Sequence, residues 1–354
     1  MDYELKKFSG NRVDNIDFLN LDFGRTFSDH MIQIHYKGGK WSDAQIKPFE
    51  NLSFSPSMLS LHYGQTVFEG VKAFFTESSG INVFRIKDHL NRLNRSAARM
   101  CIPEISPQGL LAMISDCLSL DKSWVPKERG SSLYIRPFIF ATDAGIGLRP
   151  SSEYMFIMFT CPVDSYYKKS RPLRLLCFGD EYIRCAKGGT GEAKTAGNYA
   201  ASLLPTKIAE EKGFDQVLWL DGKSSRYIDE IGTMNIFFVR GDTLITPVLS
   251  GSVLDGITRR SVITLAKDLG WKVEEKPLAI EEIQKDIRSG EIHECFGSGT
   301  AVGISSVGSI QYGEHELKIE NHNQESLAQK VRESLLDIQH GAVEDLYGWN
   351  FLIP

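Results

Sequence analysis

A glycine-rich stretch around one lysine constrains most strongly what this chain can fold into and do. Residues 188–199 read GGTGEAKTAGNY, so that Lys194 has three glycines before it and a fourth after it. Glycine adopts backbone conformations closed to other residues and lets another molecule approach closely. A lysine presented in this way is a candidate nucleophile, because its amine can condense with a carbonyl and later be displaced. The stretch predicts a functional lysine, against the alternative of a solvated surface residue.

Length, composition and charge narrow the class of protein. The chain has 354 residues, of which 42% are hydrophobic and 24% charged, which is typical of a globular protein with two domains. Its formal net charge of -5 does not fit a general nucleic-acid binder. The N-terminal residues resemble neither a secretory signal nor a transit peptide, and no apolar run is long enough to span a bilayer. We expect a cytoplasmic protein with no nucleic-acid or membrane partner.

The cysteines are scattered along the chain without the paired spacing of a zinc site or a disulfide framework. This distribution predicts reduced thiols in a reducing compartment and no bound metal. The six cysteines are Cys101, Cys117, Cys161, Cys177, Cys185 and Cys295.

Hydrophobic periodicity and turn residues predict alternating strands and helices in two domains. The predicted strands are 31–36, 81–86, 131–142, 154–161, 217–220, 235–239, 243–246 and 291–296. The predicted helices are 88–100, one beginning at Ser106-Pro107, 257–269, 280–289 and 326–339. A polar segment with a proline indicates the domain boundary. We predict a mixed α/β (α+β) fold with domains at 1–165 and 179–354, joined by a linker at 166–178. Pro205 is expected to kink or shorten the helix that follows Asn198.

Four further features, three downstream of Lys194 and one upstream, fit one kind of chemistry. Glu230 is an acid among apolar and small residues, and we expect it to lie just before a strand. Residues 254–258 (LDGIT) form a turn entering a helix, whose first N–H groups can bind an anion. The loop 297–301 (GSGTA) can turn further N–H groups toward an anion, and Arg85 can complete such a site. A reactive lysine, a carboxylate and a phosphate cradle are what pyridoxal phosphate requires from a protein.

Residues 230–259 resemble the signature of the class IV pyridoxal-phosphate aminotransferases. Further segments are similar to the branched-chain amino-acid aminotransferases in particular, and the resemblance runs from about residue 22 to the C-terminus. These segments are FEGVKAF (68–74), FRIKDHLNRL (84–93), LYIRP (133–137), KTAGNY (194–199), QVLWLD (216–221) and FGSGTA (296–301). The resemblance implies the two-domain fold-type IV architecture, which is D-amino-acid-aminotransferase-like, in a homodimer or a higher assembly. It also implies transamination of L-leucine, L-isoleucine and L-valine with 2-oxoglutarate to give branched-chain 2-oxo acids and L-glutamate.

The resemblance assigns cofactor roles to residues of this chain. Lys194 is expected to hold pyridoxal 5'-phosphate as a Schiff base and to act as the catalytic base. Glu230 is expected to pair with the pyridine nitrogen and Tyr199 to contact the phenolic oxygen, while Thr233 lies beside the cofactor. The implied phosphate-binding set is Arg85, the backbone N–H groups of Ile257 and Thr258, and Thr300.

The resemblance also implies a substrate site. Tyr134, with the backbone at Thr300 and Ala301, is expected to bind the substrate carboxylate. Arg136 is expected to support that contact and to receive the distal carboxylate of glutamate. The residues implied to line the apolar pocket are Phe23, Tyr63 from the neighbouring subunit, Phe68 and Thr233.

Two other classes of function remain open at this point. One is a D-amino-acid aminotransferase or an aminodeoxychorismate lyase of the same superfamily, although those relatives are usually shorter and lack the LYIRP and FEGVKAF arrangement. The other is a non-enzymatic module in which the lysine is structural, and such a protein would take up no pyridoxal phosphate. The sequence does not rank leucine, isoleucine and valine, because one methylene changes binding by only about 1–3 kcal/mol.

Overall fold

Strands and helices alternate along the whole chain in the computed structural model, which describes residues 2–10, 12–77, 80–164, 171–320 and 326–354. The described strands are β1 (Tyr3–Leu5), β2 (His30–Lys37), β3 (Lys40–Pro48), β4 (Thr66–Phe68), β5 (Val71–Thr76), β6 (Gly80–Phe84), β7 (Ser132–Ala141), β8 (Tyr154–Val163), β9 (Leu173–Cys177), β10 (Gln216–Leu220), β11 (Ile228–Ile231), β12 (Asn235–Arg240), β13 (Thr243–Pro247), β14 (Lys272–Lys276), β15 (Ile292–Gly299), β16 (Gly303–Tyr312), β17 (His315–Lys318) and β18 (Asn350–Ile353). The described α-helices are α1 (Leu59–Tyr63), α2 (Ile86–Arg99), α3 (Pro107–Leu120), α4 (Ala196–Ala200), α5 (Leu203–Glu211), α6 (Ile257–Asp268), α7 (Ile280–Ser289) and α8 (Leu327–Gln339).

Contacts between residues divide the chain into two compact units. Unit 1 contains Met1–Tyr166, Ala193–Ala196 and Leu336–Pro354, and unit 2 contains Tyr167–Glu192 and Gly197–Leu335. Of the predicted linker 166–178, residues 166–170 lie outside the described residues, and Leu173–Cys177 form β9. The domain limits predicted from the sequence stay a prediction.

Unit 1 is built on one sheet with strand order β1-β3-β2-β8-β7-β5-β6-β18, and β4 also pairs with β7. All neighbouring strands are antiparallel except β1 and β3. The sequence predicts a buried central strand at 154–161 because its residues are apolar on both faces. This prediction is confirmed, since β8 lies between β2 and β7 and only Phe159 is partly exposed.

Local sequence signals explain the two long helices of unit 1. In α2, Leu90, Leu93 and Ala97 recur at helical spacing and lie in the core of the unit, as predicted. The side chain of Ser106 accepts a hydrogen bond from the Gly109 amide at 3.3 Å, and α3 then begins at a proline. Such a cap contributes about 1 kcal/mol to stability. The predicted helix start at Ser106-Pro107 is therefore confirmed.

Unit 2 is built on a second sheet with strand order β11-β10-β9-β16-β15-β12-β13-β14, and β17 also pairs with β16. Strand β9 is parallel to β10 and β16, and β13 is parallel to β14, whereas the other pairs are antiparallel. The residues Gly241-Asp242 between two predicted strands predict a hairpin. It is present, because Gly241 takes a φ of +57° and Arg240 pairs with Thr243. The helix predicted at 280–289 ends at Gly290, which is left-handed as expected.

Pro205 lies in the first turn of α5, as its third residue. Helix α4 ends at Ala200, and α5 begins at Leu203, two residues before the proline. The first N–H groups of a helix have no intrahelical acceptor, so a proline there removes no helical hydrogen bond. The expected interruption of the helix after Asn198 is confirmed.

The described residues contain no helix long and apolar enough to cross a membrane. All six cysteines are free thiols. In the same part of the chain, no group of three or more His, Cys, Asp or Glu residues is placed to hold a metal ion.

Candidate active site

The backbone around Lys194 is held by hydrogen bonds within unit 1. The Lys194 amide donates to Oγ of Ser96 at 2.9 Å, and the Lys194 carbonyl accepts from the Phe68 amide at 3.0 Å. The next residue, Thr195, donates its hydroxyl to the Thr66 carbonyl at 2.7 Å. The segment therefore runs beside β4 with its main chain fixed, and the long side chain of Lys194 is the part that can move.

The Phe68 ring lies beside the Lys194 side chain and also beside Arg136. Lys194 Nζ lies 4.9 Å from the centroid of the Phe68 ring, and the Arg136 guanidinium carbon lies 4.9 Å from the same centroid. Arg136 Nη2 donates to the Tyr134 hydroxyl at 3.1 Å, and the Phe23 and Tyr134 rings meet edge to face at 5.1 Å. The structure thus brings together five of the residues predicted from the sequence.

Arg136 retains hydrogen-bonding capacity inside this group. Within the described part of the chain, its buried Nε has no hydrogen-bond partner. An unmatched buried donor is rare in proteins and indicates a missing partner. Gly70 leaves room for the Tyr134 hydroxyl, because a Cβ on Gly70 would lie 1.9 Å from that oxygen. The geometry fits a small carboxylate that accepts from Arg136.

A buried charge cluster, which sequence reasoning missed, fixes α2 against the strand turn after Phe68. Glu69 is 0% exposed, accepts two hydrogen bonds from Arg92 at 2.6 and 2.9 Å, and contacts His89 Nδ1 at 2.7 Å. Burial acts to raise the pKa of Glu69, but Arg92 and His89 hold that pKa below its ordinary value. The same helix carries Ser96, so α2 connects this cluster to the Lys194 backbone. The helical spacing of residues 89, 92 and 96, which places them on one face of α2, is the sequence signal that could have revealed the cluster.

Arg85 and Tyr63, two other predicted residues of unit 1, make different contacts. Arg85 follows the last residue of β6 and precedes α2, so the strand predicted at 81–86 ends two residues earlier than expected, at Phe84. It is buried and has a left-handed backbone, with φ at +55°. Tyr63 is 40% exposed, and its hydroxyl donates to the carbonyl of Ile146.

Glu230 is a buried carboxylate with three contacts in unit 2. The sequence predicts Glu230 just before a strand, but it lies inside β11. The residue is 4% exposed. Its Oε1 accepts from the Leu254 amide at 2.5 Å and from Asn235 Nδ2 at 3.4 Å. Its Oε2 lies 3.3 Å from Nε of Arg184. These partners are all N–H donors, and they fix the position of the carboxylate.

Arg184 is a second residue that sequence reasoning missed. Burial acts to lower the pKa of Arg184, but the charge of Glu230 raises it, with smaller contributions from Cys185, Tyr199 and Asp229. For the carboxyl group of Asp229, burial has the opposite effect and raises the pKa to about 6. The Arg184 guanidinium therefore interacts electrostatically with both Glu230 and Tyr199. The available signal was an arginine upstream of the glycine-rich stretch.

The N-terminus of α6 has the features of an anion site. Gly256 is its N-cap, no side chain caps it, and its first turn contains no acidic residue. A Cβ on Gly256 would lie 2.0 Å from Asn235 Oδ1, so any larger residue there would displace the Asn235 side chain. Thr258, one residue after Ile257, has its Oγ1 3.5 Å from Oγ1 of Thr300. Two hydroxyls and a helix N-terminus suit a phosphate.

The turns next to this anion site hold the two remaining predicted residues of unit 2. Ala301 follows Thr300 in the turn between β15 and β16, and Thr233 is exposed in the turn between β11 and β12. The Thr233 carbonyl oxygen lies 3.6 Å from the position that a Cβ on Gly299 would take. These contacts place the two turns side by side.

The predicted site residues are divided between the two units. Those in unit 1 are Lys194, Arg85, Phe23, Tyr63, Phe68, Tyr134 and Arg136, and those in unit 2 are Tyr199, Glu230, Thr233, Ile257, Thr258, Thr300 and Ala301.

Comparison with known proteins identifies the family of this chain. The family profile of amino-transferase class IV matches residues 66–310. The branched-chain-amino-acid aminotransferase 2 of Bacillus subtilis (strain 168) is 45% identical over 331 residues, which cover 93% of this chain and 91% of that protein. The crystal structure of the Escherichia coli branched-chain amino acid aminotransferase superposes with a TM-score of 0.76 at 27% identity, covering 92% of this chain and 100% of that chain.

A further structure similar to this chain is that of the branched-chain aminotransferase from the thermophilic archaeon Thermoproteus uzoniensis, solved with norvaline. Its TM-score is 0.75 at 26% identity, and the match covers 92% of this chain and 100% of that chain. These similarities extend over nearly the full length of both chains. The lysine, carboxylate and helix N-terminus described above therefore lie in a chain that belongs to the class IV aminotransferases, in the branched-chain amino-acid aminotransferase family.

Proposed function

We propose that this protein transfers the amino group of L-leucine, L-isoleucine and L-valine to 2-oxoglutarate, using pyridoxal 5'-phosphate held by Lys194. The observation that carries the proposal is the group in unit 1, in which a lysine with a fixed backbone lies beside an aromatic ring and an arginine with an unmatched donor. Aromatic walls suit an aliphatic side chain, and the arginine suits the second carboxylate of glutamate. One pocket can then serve both halves of a transamination.

The residues of the chain fit the cofactor. Bound pyridoxal phosphate supplies an electrophilic carbon that condenses with amines and a ring that takes up negative charge. The uncapped N-terminus of α6 and the hydroxyls of Thr258 and Thr300 suit its phosphate, with Ile257 and Thr258 donating backbone N–H groups. Arg85 adds a buried positive charge for the same phosphate. The ionised Glu230 suits a protonated ring nitrogen.

Other residues orient the cofactor and move the proton. In this proposal Tyr199 donates to the phenolic oxygen, and Thr233 lies beside the ring. The amine of Lys194 takes the α-proton of the substrate and returns it as general base and acid. Its fixed backbone allows this transfer, because only the side chain has to change position.

Substrate recognition divides between polar and apolar contacts. Tyr134, with the backbone at Thr300 and Ala301, binds the carboxylate next to the reacting carbon, and Arg136 supports Tyr134 through the hydrogen bond of 3.1 Å. Arg136 also binds the distal carboxylate of glutamate. Phe23, Phe68 and Thr233 line the apolar pocket, to which Tyr63 is added by a neighbouring subunit.

A homodimer in the cytoplasm completes the proposal. Four large apolar residues of one surface region are exposed, namely Leu61 (66%), Tyr63 (40%), Ile146 (73%) and Leu148 (83%). Exposed apolar surface of this kind is typical of protein interfaces. Free thiols and a net charge of -5 fit a reducing compartment and small-molecule substrates rather than nucleic acid.

A product assay tests the function. Purified protein with L-leucine and 2-oxoglutarate should release L-glutamate and 4-methyl-2-oxopentanoate in equal amounts, and Lys194→Ala should abolish this turnover. D-Alanine in place of L-leucine should give no product. Turnover of D-alanine alone would assign the D-specific chemistry instead, and full activity of Lys194→Ala would refute the role of the lysine.

A further inference from the structure

The backbone of Arg85 is strained. A φ of +55° and a ψ of +31° place Arg85 in the left-handed region, which costs free energy for any residue with a Cβ. Glycine and asparagine tolerate this conformation best, yet the chain has an arginine between β6 and α2. Strained residues cluster at binding and catalytic sites, where surrounding contacts hold them in place.

The C-terminal strand supplies one of those contacts. Strand β18 pairs antiparallel with β6 in a register that sets Asn350 opposite Phe84, so the residues beyond, Trp349 and Arg85, also meet. The Arg85 amide donates to the Trp349 carbonyl at 2.7 Å. Residues more than 260 positions apart in the sequence therefore hold the strained backbone in place.

Two side chains set the plane of the Arg85 guanidinium. Nε of Arg85 donates to Oδ2 of Asp88 at 2.7 Å, and the guanidinium carbon lies 5.0 Å from the centroid of the Trp349 ring. The Arg85 side chain is only 7% exposed, so this stacking takes place largely away from water. A cation over an aromatic ring is bound more strongly when it is desolvated.

The Trp349 ring is itself fixed from two sides. The Tyr347 ring stacks on it at 4.2 Å, and the Phe84 ring meets it edge to face at 5.7 Å. Asp345 holds the preceding turn by accepting from the amides of Tyr347 and Asn350 at 3.0 and 2.7 Å. The indole is thus a rigid surface against which Arg85 rests.

We propose that Trp349 and Asp88 are positioning residues that hold the Arg85 guanidinium ready for a phosphate monoester, so that the C-terminal segment 345–350 is part of the cofactor-binding apparatus. An arginine has five N–H donors in one plane, and fixing that plane in advance reduces the entropy lost when it binds a phosphate. The inference rests on the proposed function, because the phosphate in question is that of pyridoxal phosphate. It adds two residues that contact Arg85 rather than the cofactor.

Equilibrium dialysis of the full-length protein, stripped of cofactor, tests this inference with two ligands. The ligands are pyridoxal phosphate and pyridoxal, which lacks the phosphate. Trp349→Leu should raise the dissociation constant for pyridoxal phosphate about tenfold, because the stacking is lost, and should leave that for pyridoxal within about twofold. Trp349→Phe should restore most of the affinity. Trp271→Leu, which removes a partly exposed tryptophan of unit 2, is the matched control and should change neither constant.

Asp88 is tested by a pair of substitutions. Asp88→Asn keeps an oxygen that accepts from Nε of Arg85 and should retain more affinity for pyridoxal phosphate than Asp88→Ala. Equal affinities of these two variants would show that Asp88 does not position Arg85. An unchanged affinity of Trp349→Leu, or an equal loss for both ligands, would overturn the role of Trp349. If the wild-type protein binds no pyridoxal phosphate, the proposed function fails rather than this inference.

Discussion

The backbone amide of Lys194 donates to the hydroxyl oxygen of Ser96 at 2.9 Å, across 98 positions of sequence. Ser96 is 1% exposed and lies on α2, the helix that Glu69 holds through His89 and Arg92. The backbone of Lys194 is therefore positioned by a helix that contains none of the predicted site residues.

Loss of the Ser96 hydroxyl should misplace Lys194. In Ser96→Ala the amide of Lys194 loses this acceptor inside the unit, and an unmatched buried donor costs about 1–3 kcal/mol. We expect kcat to fall about tenfold while the protein remains folded. Steady-state kinetics and urea unfolding measure the two effects. Ser119→Ala, which removes an exposed helix serine bonded to the Ser115 carbonyl at 2.8 Å, should change neither. Wild-type kcat and stability in Ser96→Ala would contradict the positioning role.

Removing Glu69 alone from the buried charge cluster should lower the free energy of unfolding more than removing Glu69 and Arg92 together. Glu69→Gln leaves Arg92 buried without its anion, and breaking such a pair costs about 3–5 kcal/mol. The double variant Glu69→Gln/Arg92→Met should recover part of that loss, because no uncompensated charge remains. Urea unfolding of the single and double variants measures the coupling.

An exposed ion pair is the control for this cycle. Glu211→Gln breaks a pair with Lys207 whose side chains are 64% and 72% exposed, and should change the free energy of unfolding by less than about 1 kcal/mol. A charge-based explanation would be ruled out if the double variant lost more free energy of unfolding than the two single variants lose in sum.

Asp229 should make the protein less stable as the pH rises from about 4 to about 7. Burial is the main cause that raises its folded pKa from 3.8 to about 6, so the folded protein disfavours the ionised form. The stability contribution is complete below the unfolded pKa and is lost as the pH rises through the folded pKa. Asp229→Asn should therefore gain about 1–3 kcal/mol relative to wild type across this range and then level off.

Asp221 provides the opposite slope for comparison. Burial acts to raise its pKa, but the amides of Tyr227, Ser224 and Arg226 lower it to about 2. Its ionised form stabilises the fold above the unfolded pKa, so Asp221→Asn should be destabilising at neutral pH and less so as the pH falls. Unfolding curves at a series of pH values separate the two variants. Parallel pH profiles of Asp229→Asn and wild type would show that Asp229 titrates normally.

Arg136 should distinguish the two substrates. Arg136→Gln removes the charge that would bind the distal carboxylate, and a charge-assisted hydrogen bond contributes about 1.5–3 kcal/mol. We expect kcat/KM for 2-oxoglutarate to fall about 10- to 100-fold and that for L-leucine to fall much less. Arg149→Gln, which breaks an exposed pair with Asp143 at 2.8 Å, is the control. Equal losses for both substrates would indicate that Arg136 acts only through Tyr134.

Local signals in the sequence were sufficient for much of the secondary structure. The serine and proline at 106–107, the turn at 241–242 and the glycine at 290 each act on their immediate neighbours, and helices and turns appear where they predict them. The burial of β8 also follows from its own composition. Strand β18 was missed, because its four residues follow no periodic pattern and are held by pairing with β6.

The identity of the family, and the residue types its chemistry needs, could likewise be obtained from the sequence, because motifs such as 194–199 and 296–301 are short and contiguous. Arg184 beside Glu230, Ser96 beside Lys194 and Trp349 beside Arg85 could not. Each pair joins residues that are distant in the chain, and strand order and register decide whether they meet. Hydrophobic periodicity records which face of an element is buried, but it contains no information about the partner on that face. The sequence therefore determined which groups are present, and the tertiary structure decided which of them hold the others in place.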